Sequence, residues 1–228
     1  MPRPARNYQA AVYGHVARVA RAVASPRRLE LLELLAQRPR TVEALARLAE
    51  LSVASASQHL QVLRAARLVE AERHGTFVEY RLAGTEVEEA LVALRQLAER
   101  REREIGELTR DFLERRGVLE AIDSEELLQR VRAGAVTVLD VRPAEEYAAG
   151  HLPGAISVPL AELEARLREL PRRRPVVAYC RGPYCMMSAE AVATLRRRGF
   201  TAHRLDHGVV EWRARGERVE TAPGAPPP

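Results

Sequence analysis

The sequence predicts two domains: a mainly α N-terminal unit that leads through one long helix into a C-terminal α/β unit with a central, mainly parallel sheet. Three observations carry the prediction. Apolar residues recur at 3- and 4-residue steps through most of the first half, whereas strand-like runs alternate with helical ones after about residue 120. A chain of 228 residues with 46% hydrophobic composition suffices for two modest cores.

Composition narrows the function classes. No apolar run approaches the roughly 18 residues of a membrane span, and the start MPRPARNYQA lacks a signal peptide's apolar stretch, so the cytoplasm is expected and a membrane partner is not. Two cysteines in a reducing compartment argue for a reactive or redox-sensing pair over a structural disulfide. All 36 basic residues are Arg, and their excess is N-terminal: residues 1–84 hold 13 Arg against 7 acids. A basic N-terminal module points to a polyanion, nucleic acid first, against the alternative of a solvated basic face.

Taken in order, Val12, Val16, Val19 and Val23 form the stripe of an amphipathic helix. Ser25 and Pro26 are a cap and first residue for the next helix, in which Leu29, Leu32 and Leu35, with Leu31 and Leu34, make a broad buried face. Thr41 caps a short helix with Leu45 and Leu48 inward. Ser52 opens another, with Val53, Ala56, Leu60 and Leu63 inside and Ala54, Ser55, Ser57, Gln58 and Gln61 on or near the outer face. Two short helices joined by a tight turn, the second with an outer row of hydrogen-bonding side chains, suit entry into a major groove. Gln can pair bidentately with adenine, and an ordinary solvated face is the alternative reading. Residues 68–82 read as a hairpin turning at His74-Gly75, whose Arg73, His74 and Thr76, with Arg81 on the returning strand, are placed for phosphate contact.

SPRRLELLELL, LSVASASQHLQVLRAARLVE and RHGTFVEYRL resemble the helices and wing of ArsR-type winged-helix repressors over about residues 8–84. The resemblance implies that residues 53–66 are the recognition helix, supported by His59, that residues 69–82 are the wing, and that the partner is double-stranded operator DNA. Metal-sensing members carry a Cys-x-Cys pair on the helix before the turn. Here the stretch reads Thr41-Val42-Glu43-Ala44-Leu45-Ala46, so a thiolate metal site is not expected, and Glu and Arg on the long helix read as solvated charge.

Residues 85–116 read as one long helix through Val87, Leu91, Leu94, Leu97, Ile105, Leu108 and Phe112, loosened by a charged span at residues 99–104. By the resemblance, the first and last helices of the winged-helix unit form a homodimer seam. The expected divisions are thus a DNA-binding domain at 1–84, a dimerisation helix and linker at 85–118, an α/β domain at 119–220 and a disordered tail at 221–228.

In the α/β half, helices are expected from Ser124 to about Gly134, after Pro143, over residues 160–170 and over 186–198, with strands at 136–140, 176–180 and 201–205. Both cysteines lie in VVAYCRGPYCMMS, residues 176–188. A short β-branched run delivers Cys180 onto a turn ahead of a helix, where unpaired N–H groups and the helix dipole favour a thiolate. Cys180 is therefore the candidate nucleophile, and a small buried hydrophobe is the alternative. Cys180, Cys185, His203 and His207 also have zinc-ligand order, but at a separation too long for the usual finger.

VTVLDVRPAEEYAAGHLPGAISVP, the cysteine loop and LDHGVVEW together resemble the rhodanese (sulfurtransferase) domain over about residues 120–219. The family's Asp-x-Arg falls on Asp140 and Arg142, its Gly-His-x-Pro-Gly-Ala on residues 150–155 and its catalytic Cys on Cys180. The resemblance implies that Cys180 attacks a sulfane sulfur and holds a persulfide cradled by N–H groups of Arg181, Gly182, Pro183, Tyr184, Cys185 and Met186, residue 183 contributing shape only because proline has no N–H. Arg181 is expected to attract an anionic donor such as thiosulfate, and Asp140 and Arg142 to brace the loop and sheet end. Cys185 and Met186 stand where the family often has Arg or Ser, His207-Gly208 replaces Gly-Gly, and the loop is one or two residues longer. Cys185 can resolve the persulfide into a disulfide or simply pack. No bound cofactor is expected beyond that covalent persulfide. The expected function is a homodimeric repressor sensing sulfane sulfur or redox state. Two alternatives stay open: a working sulfurtransferase that regulates its own operon, and a switch using the Cys180–Cys185 disulfide alone.

Overall fold

The computed structural model describes residues 3–119, 121–122 and 124–222, and the expected tail lies outside them from residue 223 on. It divides into two compact units, Met1–Leu91 and Val92–Pro228. The division falls inside one helix.

In the first unit, α1 (Arg3–Val23) and α2 (Pro26–Leu35) precede a two-residue strand β1 (Arg40–Thr41), α3 (Val42–Leu48) and α4 (Val53–Ala65). The hairpin β2 (Val69–His74) and β3 (Phe77–Leu82) follows, in an antiparallel sheet of order β1-β3-β2. Leu31, Leu32, Leu45, Ala56, Leu60 and Leu63 are wholly enclosed, each leucine side chain stabilising the fold by roughly 1.5–3 kcal/mol. Thr41 and Ser52 cap α3 and α4 through Ala44 N–H (3.3 Å) and Ser55 N–H (3.1 Å).

Four expectations in this unit need correction. Leu29 and Val53 are 37% and 48% exposed, because helical spacing identifies a face without locating its edge. Ser25 takes the cap position with extended backbone but makes no side-chain cap bond; the Arg28 N–H, which a cap side chain would take, donates to the Ser25 carbonyl instead (3.1 Å). The hairpin turn is Gly75-Thr76, since His74 pairs with Phe77, and Gly75 takes the φ of +61° that the tight turn demands. Strand β1, too short to show a pattern, was not legible.

Helix α5 (Thr85–Arg101) and helix α6 (Arg103–Glu114) replace the expected single helix, with Glu102 extended between them (φ −109°, ψ 96°). Residues 99–104 are all exposed and charged, so no buried side chain holds that turn in register.

The second unit continues with β4 (Ala121–Ile122), α7 (Ser124–Arg132), β5 (Thr137–Asp140), α8 (Ala144–Ala149) and β6 (Ile156–Ser157). Residues 160–170, expected as one helix, are two 3₁₀ turns flanking the single-turn α9 (Leu163–Arg166). Then come β7 (Val176–Tyr179), α10 (Met187–Arg197), β8 (Ala202–Leu205) and α11 (Val209–Ala214). The sheet is wholly parallel, in the order β4-β8-β7-β5-β6. Alternate residues of β7 enter opposite cores: Val176 and Ala178 join Val192 and Leu195, and Val177 and Tyr179 join Leu152 and Trp212. Burial on both faces is why this strand reads as an unbroken apolar run.

Candidate functional site

Because parallel strands all end on one edge, β7 carries Cys180 to the carboxyl edge of the sheet, beside the end of β5. That end is braced by a fully buried cluster. Arg142 donates to both carboxylate oxygens of Asp140 (3.0 and 2.6 Å) and to the Gly150 carbonyl (2.6 Å), while the Tyr179 hydroxyl donates to Asp140 (2.5 Å) and accepts from Leu152 N–H (3.1 Å). Asp140 and Arg142 have no exposed surface on which to meet a substrate. Their placement is that of a structural clamp.

Residues 180–186 form a closed loop, in which Cys185 N–H donates to the Gly182 carbonyl (3.1 Å). Cys180 is 2% exposed, its sulfur 3.2 Å from Ser188 Oγ and 3.4 Å from the Cys185 carbonyl. Cys185 is half-buried. The two thiols are shifted in opposite directions. Burial, followed by the neighbouring Cys185, pushes the Cys180 thiol well up, against the opposing bonds from Ser188. Cys185 is lowered to about 7, chiefly by the hydrogen bond from the Cys180 thiol, with N–H groups of Arg181 and Met187 and the Arg181 charge assisting against burial. Within the loop the Cys185 N–H is used by the Gly182 carbonyl, and the Ser188 hydroxyl, beyond the expected cradle, stands 3.2 Å from the Cys180 sulfur. Gly182 is buried, Pro183 half-buried, and Tyr184 and Met186 are each 42% exposed.

Arg181 does not stand open to an anionic donor. Its guanidinium holds buried Glu146 in two directions, Nε at 3.1 and 3.0 Å and Nη2 at 2.6 Å. Two further residues shape the loop. A Cβ on Gly208 would fall 2.4 Å from the Arg181 carbonyl oxygen and 2.6 Å from that of Cys180, so only glycine lets α11 start so close. Gly208 N–H donates to Glu211 Oε2 (2.6 Å), and Glu211 pairs with Arg95 on α5. The Tyr184 hydroxyl donates to Glu99 Oε1 on the same helix (2.7 Å), with the Arg95 guanidinium 6.0 Å from the Tyr184 ring. Glu146, Ser188, Glu99 and the bracing roles of Tyr179 and Tyr184 were missed. Glu146 sits in an AEEY run that reads as solvated charge, and only Ser188, on the cysteine loop's own helix, had a local signal.

The second group lies on α4 and the hairpin tip. Gln58 and Gln61 are exposed, and Ser55, Ser57 and His59 are half-buried. Gln61 also reaches the Tyr80 hydroxyl at 3.5 Å. At the tip, Arg73 donates to the Gly75 carbonyl (3.1 Å), His74 lies 3.8 Å from Glu72 and 4.0 Å from Glu79, and Thr76 is exposed. Arg81 is paired with Glu70, which occupies it within the sheet. Phe77, 60% exposed beside the turn, was not singled out by its sequence.

The bacterial regulatory protein, arsR family, matches residues 25–71, and the rhodanese-like domain matches residues 123–215. An HTH-type transcriptional regulator of Mycobacterium tuberculosis is 45% identical over 218 residues, spanning 96% of this chain and 95% of its own. The chain belongs to the ArsR family of regulators. Its rhodanese-like half is similar to a sulfurtransferase of Allochromatium vinosum, 35% identical over 97 residues, which are 42% of this chain and 89% of that protein. Among solved structures, the homodimeric winged helix-turn-helix DNA-binding domain of a possible ArsR-family regulator from Mycobacterium bovis is 43% identical. It covers 40% of this chain and 84% of its own, with a TM-score of 0.38.

In this ArsR-family chain the thiols are thus in the rhodanese-like half, and α3 has none. Among the described residues no three or more His, Cys, Asp or Glu side chains are grouped to hold a metal ion, and no helix is long and apolar enough to cross a membrane.

Proposed function

We propose that this regulator is a cytoplasmic homodimer that represses transcription by binding double-stranded operator DNA, and that it releases the DNA when its thiol loop reacts with sulfane sulfur from thiosulfate or a persulfide. The observation that carries the sensing reading is the Tyr184–Glu99 hydrogen bond, which ties the loop between the two cysteines to α5. A loop closed by a Cys180–Cys185 disulfide must move Tyr184, the immediate neighbour of Cys185, and so change what holds the end of that helix. The DNA reading is supported by the outer row of Ser57, Gln58 and Gln61 on a helix of the ArsR type. Homodimerisation is supported by Tyr8, Val12, Tyr13, Val16 and Val19 of α1, an exposed apolar stripe that a second copy would cover.

The likeness to a sulfurtransferase favours a second reading, a turning-over sulfur carrier. Enclosure of Cys180 supports a stoichiometric switch instead. The test is binding of the reduced protein to its own upstream DNA before and after a sulfane-sulfur donor, beside Cys180→Ser and Tyr184→Phe, with modification followed by mass. The sensor predicts loss of affinity in the wild type, none in Cys180→Ser, and a blunted response in Tyr184→Phe despite equal modification. Full modification with unchanged wild-type affinity would sink it.

A further inference from the structure

A buried side-chain nitrogen without a hydrogen-bond partner is rare in a folded chain, because it has lost its water and gained nothing in return. Among the described residues the buried side-chain atoms in this state are Arg204 Nε, Arg204 Nη1 and His207 Nδ1, on residues that flank Asp206 at the carboxyl end of β8. All of them are donors. A guanidinium has no acceptor, and the Arg215 guanidinium, 3.0 Å from His207 Nε2, can only donate to that nitrogen, which leaves the ring hydrogen on Nδ1. Burial, followed by the Arg215 charge, lowers the pKa of His207, in keeping with a neutral ring.

These donors stand at the walls of two cavities, of about 330 and 300 Å³, which share Glu99, Asp206 and Pro183 of the thiol loop. Arg204, itself 3% exposed, lines the larger cavity, and His207 lines the smaller. The two carboxylates of the larger cavity are already engaged, Asp206 by Arg204 Nη2 and Glu99 by the Tyr184 hydroxyl. Exposed Arg110 adds a second guanidinium to the same wall. Charge there is balanced, Arg110 and Arg204 against Glu99 and Asp206, so the surplus of unused donors selects the occupant. What the donors need is an acceptor, and an ion with several negative oxygens supplies it while compensating the enclosed guanidinium. We propose that the space beside Asp206 is a binding site for a small oxyanion, held chiefly by Arg204 and supported by Arg110 and the His207 N–H. The site is non-covalent and goes beyond the sensor reading, which needs only the thiols. Because Pro183 and Tyr184 line the larger cavity, its occupant lies against the loop that carries them.

Sulfur oxyanions and carboxylates share this chemistry. The reduced full-length protein is therefore titrated by calorimetry with sodium sulfate, which has no sulfane sulfur to give a thiol, and separately with sodium acetate, both against a sodium chloride background. Arg204→Gln, Asp206→Asn and, as a control that removes a charge from the exposed face of α7, Arg130→Gln are measured beside the wild type. The expected result is saturable sulfate binding that Arg204→Gln weakens roughly tenfold or more and Arg130→Gln leaves unchanged. Asp206→Asn should tighten it by up to roughly tenfold, because the ion then becomes the sole counter-charge of Arg204 in that pairing. Tighter binding of acetate than of sulfate would assign the site to a carboxylate ligand, and the reverse to a sulfur oxyanion; either keeps the proposal. Absence of saturable binding, or equal affinity in wild type and Arg204→Gln, would overturn it and leave the cavities to water; ions gathered by the basic face of the first unit would be insensitive to both cavity substitutions. Should Arg204→Gln fail to fold, Asp206→Asn decides, since unchanged or weaker sulfate binding there would also overturn the site. The sensor reading stands or falls on its own test, because sulfate does not modify a thiol.

Discussion

Gly208→Ala should damage the thiol loop from outside it. The new Cβ would stand 2.4 Å from the Arg181 carbonyl oxygen, where ordinary contact begins near 3.4 Å, so that oxygen must retreat by about 1 Å, and the Cys180 carbonyl by nearly as much. Both obstacles are backbone at the end of a central strand and have no rotamer by which to step aside. Overpacking of this kind costs about 1–3 kcal/mol, and the upper half of that range applies here. In a unit of this size the melting temperature should fall by on the order of 5–15 °C. Calorimetry of the full chain measures it, with Gly106→Ala as the control: Gly106 lies within α6 with no atom within 4 Å of the added Cβ, so alanine there should be neutral or stabilising by up to ~1 kcal/mol. A Gly208→Ala transition within about 1 °C of wild type, with unchanged thiol labelling, would refute the close-approach account.

Asp140→Asn should destabilise the second unit by about 3–5 kcal/mol, read by denaturant unfolding, because it leaves the enclosed Arg142 guanidinium without its counter-charge. Replacing Gln58 by Ala should weaken operator binding by roughly 1–3 kcal/mol while sparing non-specific DNA, measured at fixed salt; equal loss on both would remove base reading from this residue. Cys185 titrates lower folded than unfolded, so its thiolate contributes stability above the unfolded value of 9 that is lost as pH falls through about 7. The melting temperature of the reduced wild type relative to Cys185→Ser should therefore rise from pH 7 to pH 9, and a flat difference would contradict the lowered value.

What the sequence determined by itself was local. The capped helices α3 and α4 and the Asp140-Val141-Arg142 strand end are written in residues close together in the chain, where spacing and turn chemistry act directly. Periodicity could not place Leu29 or Val53 relative to the core boundary, nor detect that charge without burial breaks the long helix at Glu102. The site's electrostatics were decided by partners distant in sequence. Arg181 is neutralised by Glu146, 35 residues away, and Tyr184 is tied to Glu99, 85 residues away. Placement ahead of a helix predicted a thiolate at Cys180, but its enclosure pushes that thiol up, while the less buried Cys185 is lowered. Ionisation answers to desolvation and to neighbouring dipoles in three dimensions, and those exist only once the sheet has brought its strand ends together.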